Sequence, residues 1–322
     1  MKKTIIILLS VLLLAGSLYG CGEKENKNRD KYSVVVTVYP VYDWLMNVIG
    51  EADDSLEVRL LINNGIDLHS YQPSVADIAL VSGCDMLIYV GGESEAWVNE
   101  LLDGKVNEKM KVINLIKELG DTALQEETVE GMQSEEHGHD EEESEIDEHI
   151  WLSLKNAMRL VPVIADGLAE LDGKNTQRYQ ENSRDYLDAL ETLDESYRNM
   201  VKNAGHDTLI FADRFPFRYL VEDYGLQYFA AFSGCSAETE ASFETIAFLA
   251  GKADELDISA LLILENGNAR IAETIISNSA EKNKKILVID SMQSVTSAQI
   301  RAGISYLKIM ENNLNVLRQA LQ

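Results

Sequence analysis

Side chains that can bind metal ions recur where short apolar segments of this sequence end. His69, Asp213 and Asp290 each follow such a segment. If the segments are parallel strands, ligands bind beyond their carboxyl ends, so these side chains would line one cleft. A borderline divalent cation such as zinc accepts both imidazole nitrogen and carboxylate oxygen, at about 2.0–2.2 Å. The pattern therefore predicts a divalent-metal site.

A further candidate ligand, His149, stands at the end of a strongly acidic segment, "EEHGHDEEESEIDEHIWLS" (135–153). Residues 121–148 hold thirteen Asp or Glu and no Lys or Arg. Mutual repulsion should keep this loop solvated up to about Asp147, and the apolar residues after His149 then begin an ordered helix. His149 is thus expected at the ordered edge of the loop.

Each of these four residues also has a purely structural interpretation. His69 could cap a helix from a loop, and His149 could simply begin one. Asp213 and Asp290 could cap the helices that follow their strands. Metal binding is favoured for the set as a whole, because burying several carboxylates without a cation is costly.

Eight short β-branched or apolar segments alternate with helix-length amphipathic stretches. They are "SVVVTVYPV" (33–41), "LEVRLLI" (56–62), "CDMLIYVG" (84–91), "KVINL" (111–115), "TLIFA" (208–212), "LQYFAAF" (226–232), "ALLILE" (260–265) and "KILVID" (285–290). Such alternation is typical of parallel strands covered by helices. The pattern stops and restarts, which predicts an α/β protein of two lobes, each with a mostly parallel four-stranded sheet, and a metal cleft between the lobes.

The two sets of strands are separated by a long helical pattern at 154–202. Its apolar residues recur at helical spacing, which predicts one or two long helices, the second forming a rigid spine between the lobes. The expected boundaries are 32–153 for the N-terminal lobe, including the acidic loop, 154–204 for the linking helices and 205–322 for the C-terminal lobe.

The first 31 residues are expected to export and anchor the chain. Two lysines precede an apolar run that is too short to span a bilayer, so residues 1–20 are interpreted as a signal peptide. "LYGC" resembles the bacterial lipoprotein cleavage box, which would make Cys21 the lipidated first residue and 21–31 a tether. An ordinary secreted protein or an uncleaved anchor is the alternative. The predicted location is extracytoplasmic, at the cell membrane.

The formal net charge of −26 argues against nucleic acid as a partner and suits cations better. We expect a monomer. The two cysteines beyond Cys21, Cys84 and Cys235, have no spacing typical of a zinc knuckle or a disulfide framework, and both are interpreted as packed thiols. The sequence does not decide whether Cys84 and Cys235 form a disulfide between the lobes.

Four segments together resemble one protein family. "GIDLHSYQPS" (65–74) and "DEHIWLS" (147–153) are similar to histidine motifs of the solute receptors that serve bacterial zinc and manganese ABC importers, with Leu68 and Glu148 where proline is common. "YVGGESEAWVNELL" (89–102) and "GCSAETEASFETIAFL" (234–249) also resemble this family, and the likeness runs from about residue 32 to residue 322.

The resemblance implies that His69, His149 and Asp290 are metal ligands. It also implies a third histidine after the first strand of the second lobe, where this chain reads "IFADRFPFRYL". Asp213 is the nearest side chain that could replace it, because Arg214 stays protonated. His206 precedes the strand and should lie at the opposite end of the sheet.

Other polar residues are expected to support the ligands. Glu238, Glu240 and Glu265 would cap helices or hydrogen-bond to ligands, and Arg214 would pair with a carboxylate of the cleft. The resemblance further implies that His137 and His139 could gather zinc at low affinity, although a merely solvated linker explains them equally well.

The predicted function is zinc binding without catalysis, with delivery of Zn(II) to the permease of an ABC importer. A manganese or iron receptor of the same fold is the nearest alternative, since the same ligand types suit manganese. A zinc-dependent hydrolase would need an open coordination position and a base, and no HExxH motif is present. A surface adhesin is the remaining alternative.

Overall fold

The structure is a computed structural model that describes residues 31–50, 55–104, 106–133, 145–236 and 240–322. The predicted signal peptide, the lipidated cysteine Cys21 and nearly all of the tether lie outside these residues. So do His137, His139 and Glu238. In the described part of the chain, no helix combines the length and the apolar composition needed to cross a bilayer.

The N-terminal lobe is built on four parallel strands in the order β2-β1-β3-β4. The strands are β1 (Tyr32–Val36), β2 (Leu56–Leu60), β3 (Met86–Tyr89) and β4 (Lys111–Asn114), and the helices are α1 (Tyr39–Ile49), α2 (Val75–Gly83), α3 (Ala96–Leu102) and α4 (Leu115–Leu119). All four predicted strands are present. The first is shorter than the predicted 33–41, because Pro40 occupies the first turn of α1, where its fixed φ and missing N–H are tolerated.

Two long helices follow, α5 (Leu154–Leu171) and α6 (Thr176–Lys202). They confirm the prediction of linking helices with a long spine. The 27 residues of α6 span roughly 40 Å at 1.5 Å per residue. Helix α6 packs against α1 of the N-terminal lobe and also against the last helix of the C-terminal lobe, so it contacts both halves.

The C-terminal lobe has the same sheet architecture, with four parallel strands in the order β6-β5-β7-β8. Its strands are β5 (Thr208–Phe215), β6 (Gln227–Ser233), β7 (Ala260–Leu264) and β8 (Lys285–Ile289), and its helices are α7 (Arg218–Tyr224), α8 (Phe243–Glu255), α9 (Ala269–Asn278), α10 (Ser297–Arg301) and α11 (Tyr306–Ala320). Strand β5 extends beyond the predicted 208–212. Its register shifts between Phe211 and Arg214, so Asp213 lies within an irregular strand and not after its end.

Several hydrogen bonds join the lobes directly. The backbone N–H of Ser297 donates to the carbonyl of Asn63 at 2.7 Å, and Trp151 Nε1 donates to the carbonyl of Ser291 at 2.9 Å. Tyr306 donates from its hydroxyl to the carbonyl of Trp151 at 2.7 Å. The carboxyl ends of the strands in the two lobes therefore face a common cleft.

We expect Tyr197→Phe to lower the free energy of unfolding by about 1 kcal/mol, because it removes one buried hydrogen bond between the spine and the C-terminal lobe. Tyr197 is completely buried, and its hydroxyl donates to the carbonyl of Met310 at 2.6 Å. Urea denaturation measures the change. Tyr32→Phe, at a side chain that is 41% exposed, is the matched control. Equal midpoints for both variants would contradict the assignment.

Candidate metal centre

His69 lies on a single 3-10 turn, Leu68–Ser70, shortly after β2. The side chain of Asp67 begins this turn by accepting from the backbone N–H of His69 at 3.0 Å. The imidazole Nδ1 is 2.7 Å from the hydroxyl of Ser94, which lies shortly after β3 at the same end of the sheet. Because Nδ1 is engaged in this way, the lone pair or proton of Nε2 points into the cleft.

His149 is held even more firmly. Its side chain is fully buried just before the 3-10 turn Ile150–Leu152. Asp147 Oδ1 accepts both from its backbone N–H at 2.8 Å and from its Nδ1 at 2.9 Å. The ring also packs edge-on against Trp151, with 5.5 Å between centroids. A carboxylate on Nδ1 fixes the tautomer of a histidine and raises the basicity of Nε2, as it does for many metal-binding histidines.

The two histidines meet at their Nε2 atoms. Nε2 of His69 and Nε2 of His149 are 3.0 Å apart, and the ring centroids are 5.0 Å apart. Two tetrahedral ligands of one zinc ion, each about 2.0–2.1 Å from it, would be separated by about 3.4 Å. The structure thus brings together the two histidines that the sequence selected, nearly at the separation that a shared ion requires.

The pKa values of the two histidines are shifted in opposite directions. Burial and the neighbouring His149 lower the pKa of His69 to about 4. Burial also opposes the charge on His149, but the Asp147 carboxylate outweighs this and raises the pKa of His149 above its usual 6.5. A proton on His149 Nε2 has two possible acceptors, Nε2 of His69 at 3.0 Å and the amide oxygen of Gln293 at 2.7 Å. A metal ion entering the same space takes the place of that proton.

A third donor atom comes from Cys235, in the turn after β6. One ligand atom each from His69, His149 and Cys235 all lie within 4.8 Å of one another. The preceding Gly234 allows this approach, because a Cβ at that position would lie 3.0 Å from His149 Cε1 and 3.0 Å from the carbonyl oxygen of Phe215. Burial and the Glu126 carboxylate raise the pKa of the Cys235 thiol.

The interpretation of Cys235 as a packed thiol missed this placement, whereas Cys84 does pack. Cys84 is completely buried in the N-terminal lobe, with Sγ 3.3 Å from Met110 Sδ, and it forms no disulfide with Cys235. The signal for Cys235 was its position directly after a glycine at the carboxyl end of a parallel strand. The same rule had selected the other candidates.

Asp213 and Asp290 are not part of this group of three close donor atoms. Asp213 lines the same cleft, but its carboxylate accepts from the backbone N–H groups of Arg214 at 2.8 Å and Leu264 at 3.1 Å. Asp290 Oδ1 accepts from the N–H of Met292 at 2.8 Å, and burial together with Glu265 raises its pKa to about 6. Metal binding by these two residues stays a prediction.

The remaining predicted residues have separate roles. Arg214 pairs with Asp67 across the cleft at 2.9 Å. Glu265 accepts from the hydroxyls of Ser291 at 2.9 Å and Ser294 at 3.0 Å. Glu240 is exposed.

The cleft has a volume of about 410 Å³ and is bounded by both lobes. Its lining includes His69, Arg214, Cys235, Glu265 and Gln293. With its amide oxygen turned toward the histidines, Gln293 accepts from His149 Nε2 at 2.7 Å and donates to Asp67 at 2.6 Å. The site is therefore closed on one side by groups of the C-terminal lobe.

Two buried carboxylate oxygens at this end of the N-terminal lobe, Glu126 Oε1 and Glu148 Oε2, have no hydrogen-bond donor. Burial raises the pKa of both groups. Glu148 Oε2 lies 3.6 Å from His69 Nδ1, and among the described residues neither glutamate belongs to the group of three close donor atoms, whose two imidazoles and thiol fit a divalent cation.

Comparison with known proteins gives the family context. The sequence profile of "Zinc-uptake complex component A periplasmic" matches residues 34–320. The zinc-binding lipoprotein AdcA of Streptococcus pneumoniae is 31% identical over 319 residues, which are 99% of this chain and 61% of that protein. The high-affinity zinc uptake system protein ZnuA of Bacillus subtilis is 27% identical over 94% of this chain and 92% of its own length. This chain thus spans about three fifths of the streptococcal relatives.

Solved structures agree with the fold. The metal-dependent lipoprotein YcdH of Bacillus subtilis superposes with a TM-score of 0.73 at 27% identity, covering 90% of this chain and 99% of that one. The Zn(II)-bound ZnuA-like domain of AdcA from Streptococcus pneumoniae gives a TM-score of 0.70 at 29% identity, with coverages of 90% and 99%. The predicted fold of two parallel sheets and a spine helix is confirmed.

The family consists of uptake components and not of enzymes, which confirms both the resemblance found in the sequence and the prediction of binding without catalysis. The matched region contains both histidines, Cys235, the last three residues of β1 and all of β2 to β8. This chain belongs to the family of periplasmic zinc-uptake complex component A proteins.

Proposed function

We propose that this chain is an extracytoplasmic receptor that captures Zn(II) between its two lobes and delivers it to the permease of an ABC importer. The observation that carries the proposal is the 3.0 Å approach of His69 Nε2 and His149 Nε2, each with its Nδ1 already engaged. The fully buried His149 and the largely buried His69 are oriented so that one cation could bind both Nε2 atoms. The names of the streptococcal and Bacillus relatives, a zinc-binding lipoprotein and a zinc uptake protein, support zinc as that cation.

Delivery to a permease requires that the ion be released when the lobes separate. The polar contacts across the cleft, such as Arg214 with Asp67 and Gln293 with the same carboxylate, can exchange for water without exposing a large apolar surface. Helix α6 contacts both lobes and would limit their movement. The proposal includes a lipid anchor at Cys21, a monomeric receptor, and the division into lobes at 32–153 and 205–322 with linking helices between.

His69→Ala and His149→Ala are each expected to abolish stoichiometric zinc binding at micromolar concentration, because each removes one of two buried nitrogen ligands. Isothermal titration calorimetry and metal analysis of the purified full-length chain measure the loss. His206→Ala is the matched control, because His206 precedes β5 and its backbone bonds to Leu321, far from the cleft residues. Zinc stoichiometry retained in the double variant of His69 and His149 would refute the site.

Zinc affinity is expected to fall as the pH drops from about 7.5 to about 5, with a slope that approaches about tenfold per pH unit below the pKa of His149. His149 has a pKa raised above 6.5, so its proton competes with the metal already above that pH, whereas His69, with a pKa of about 4, adds competition only near the acid end. Protonation thus weakens binding, and the loss grows as the pH decreases. Calorimetric affinities that stay constant across this range would rule out ligation by His149.

A further inference from the structure

We propose that the Cys235 thiolate is the third protein ligand of the zinc ion. In this assignment Cys235 replaces the third histidine ligand that the family resemblance implied after β5. The inference rests on the proposed zinc site and goes beyond it by assigning a sulfur ligand.

The geometry requires only small shifts. The ligand atoms of Cys235, His69 and His149 already lie within 4.8 Å of one another. Around one tetrahedral zinc ion, with Zn–S of about 2.3 Å and Zn–N of about 2.0–2.1 Å, a sulfur and a nitrogen ligand would be about 3.6 Å apart. Cys235 lies in a two-residue turn at the edge of the cleft, where such a movement disturbs no strand.

The turn is shaped for this approach. Gly234 places its backbone against the His149 ring, and a Cβ there would lie 3.0 Å from Cε1 and 3.3 Å from Nδ1. A side chain there would crowd the His149 ring and the carbonyl of Phe215, so one of them or the turn would have to shift by a few tenths of an ångström. The absence of a side chain at Gly234 therefore lets the turn that carries Cys235 lie directly against His149.

The end of β5 does not supply a ligand in this structure. Asp213 is hydrogen-bonded to two backbone N–H groups, and Arg214, a permanent cation, pairs with Asp67. Among the described residues, the group of three close donor atoms is completed from β6 instead. The neighbouring strand thus provides the third side chain from the same end of the sheet.

A thiolate also suits the charges and the choice of metal. Zinc binding replaces the S–H bond with an S–Zn bond, and the proton leaves to solvent through the cleft that Cys235 lines. The negative sulfur offsets one of the two charges of the ion in a site that already holds Arg214. Thiolate is a soft ligand that selects zinc, whereas manganese prefers carboxylate and water. The set of two imidazoles and one thiolate therefore favours zinc over manganese.

X-ray absorption at the zinc edge tests the assignment on the full-length zinc-loaded chain. We expect one sulfur at about 2.3 Å in the native protein and its loss in Cys235→Ser. Removing a group that merely supports a ligand typically lowers metal affinity about 10- to 100-fold, so loss of a direct ligand should lower zinc affinity by more than about 100-fold. The manganese affinity of Cys235→Ser should change much less. The ratio of zinc affinity to manganese affinity should therefore be smaller in this variant than in the native protein.

Two controls make the result specific. Cys84→Ser removes the other buried thiol and should retain the sulfur signal, with folding checked by circular dichroism. Asp213→Asn tests the competing ligand from β5 and should leave zinc affinity within about tenfold of the native value.

The outcomes separate the inference from the function on which it rests. Zinc binding that depends on His69 and His149 but shows no sulfur neighbour would overturn the assignment of Cys235 and leave the zinc receptor standing. A sulfur signal that survives Cys235→Ser would overturn it as well. A native chain that binds no zinc would overturn both the receptor function and the sulfur ligand.

Discussion

Two imidazole nitrogens held 3.0 Å apart in a buried position form the constraint on which the rest of this site depends. Neither ring can turn away, because Asp147 and Ser94 engage the opposite nitrogens. Burial and the neighbouring His149 lower the pKa of His69, whereas the Asp147 carboxylate outweighs the effect of burial and raises the pKa of His149. A divalent ion bound between the two Nε2 atoms would displace the proton that the raised pKa of His149 favours.

Such a close pair requires a rigid frame, and the two lobes supply it in different ways. Both histidines belong to the N-terminal half, where loops after β2 and before α5 converge. The C-terminal lobe then covers the pair with Gly234, Cys235 and Gln293. Helix α6 contacts both halves, and in this structure the covering groups lie against the histidines.

Much of this was predictable from the sequence, because strands and long helices follow apolar periodicity. All eight strands and both linking helices lie where the pattern placed them, and the rule that ligands lie beyond strand ends selected His69. Periodicity does not predict the register shift in β5, and so it does not predict that the Asp213 carboxylate accepts from the backbone N–H of Leu264 in β7. Nor could it show that the turn after β6 approaches His149, since that contact depends on the relative position of two lobes. Cys235 was missed for this reason.

The charges around the cleft explain why a sulfur ligand and an arginine can coexist in one metal site. Arg214 and Asp67 cancel each other across the lobes at 2.9 Å, so the arginine adds little net positive charge to the space between the histidines. Asp147, through His149, offsets one charge of a divalent ion, and a thiolate at Cys235 would offset the other. A neutral third histidine would leave the second charge to be met by Glu126 or Glu148, whose burial favours their protonated forms. Burial and the Glu126 carboxylate raise the pKa of the Cys235 thiol too, but the charge of a thiolate ligand would lie at bonding distance from the ion and be offset by it directly.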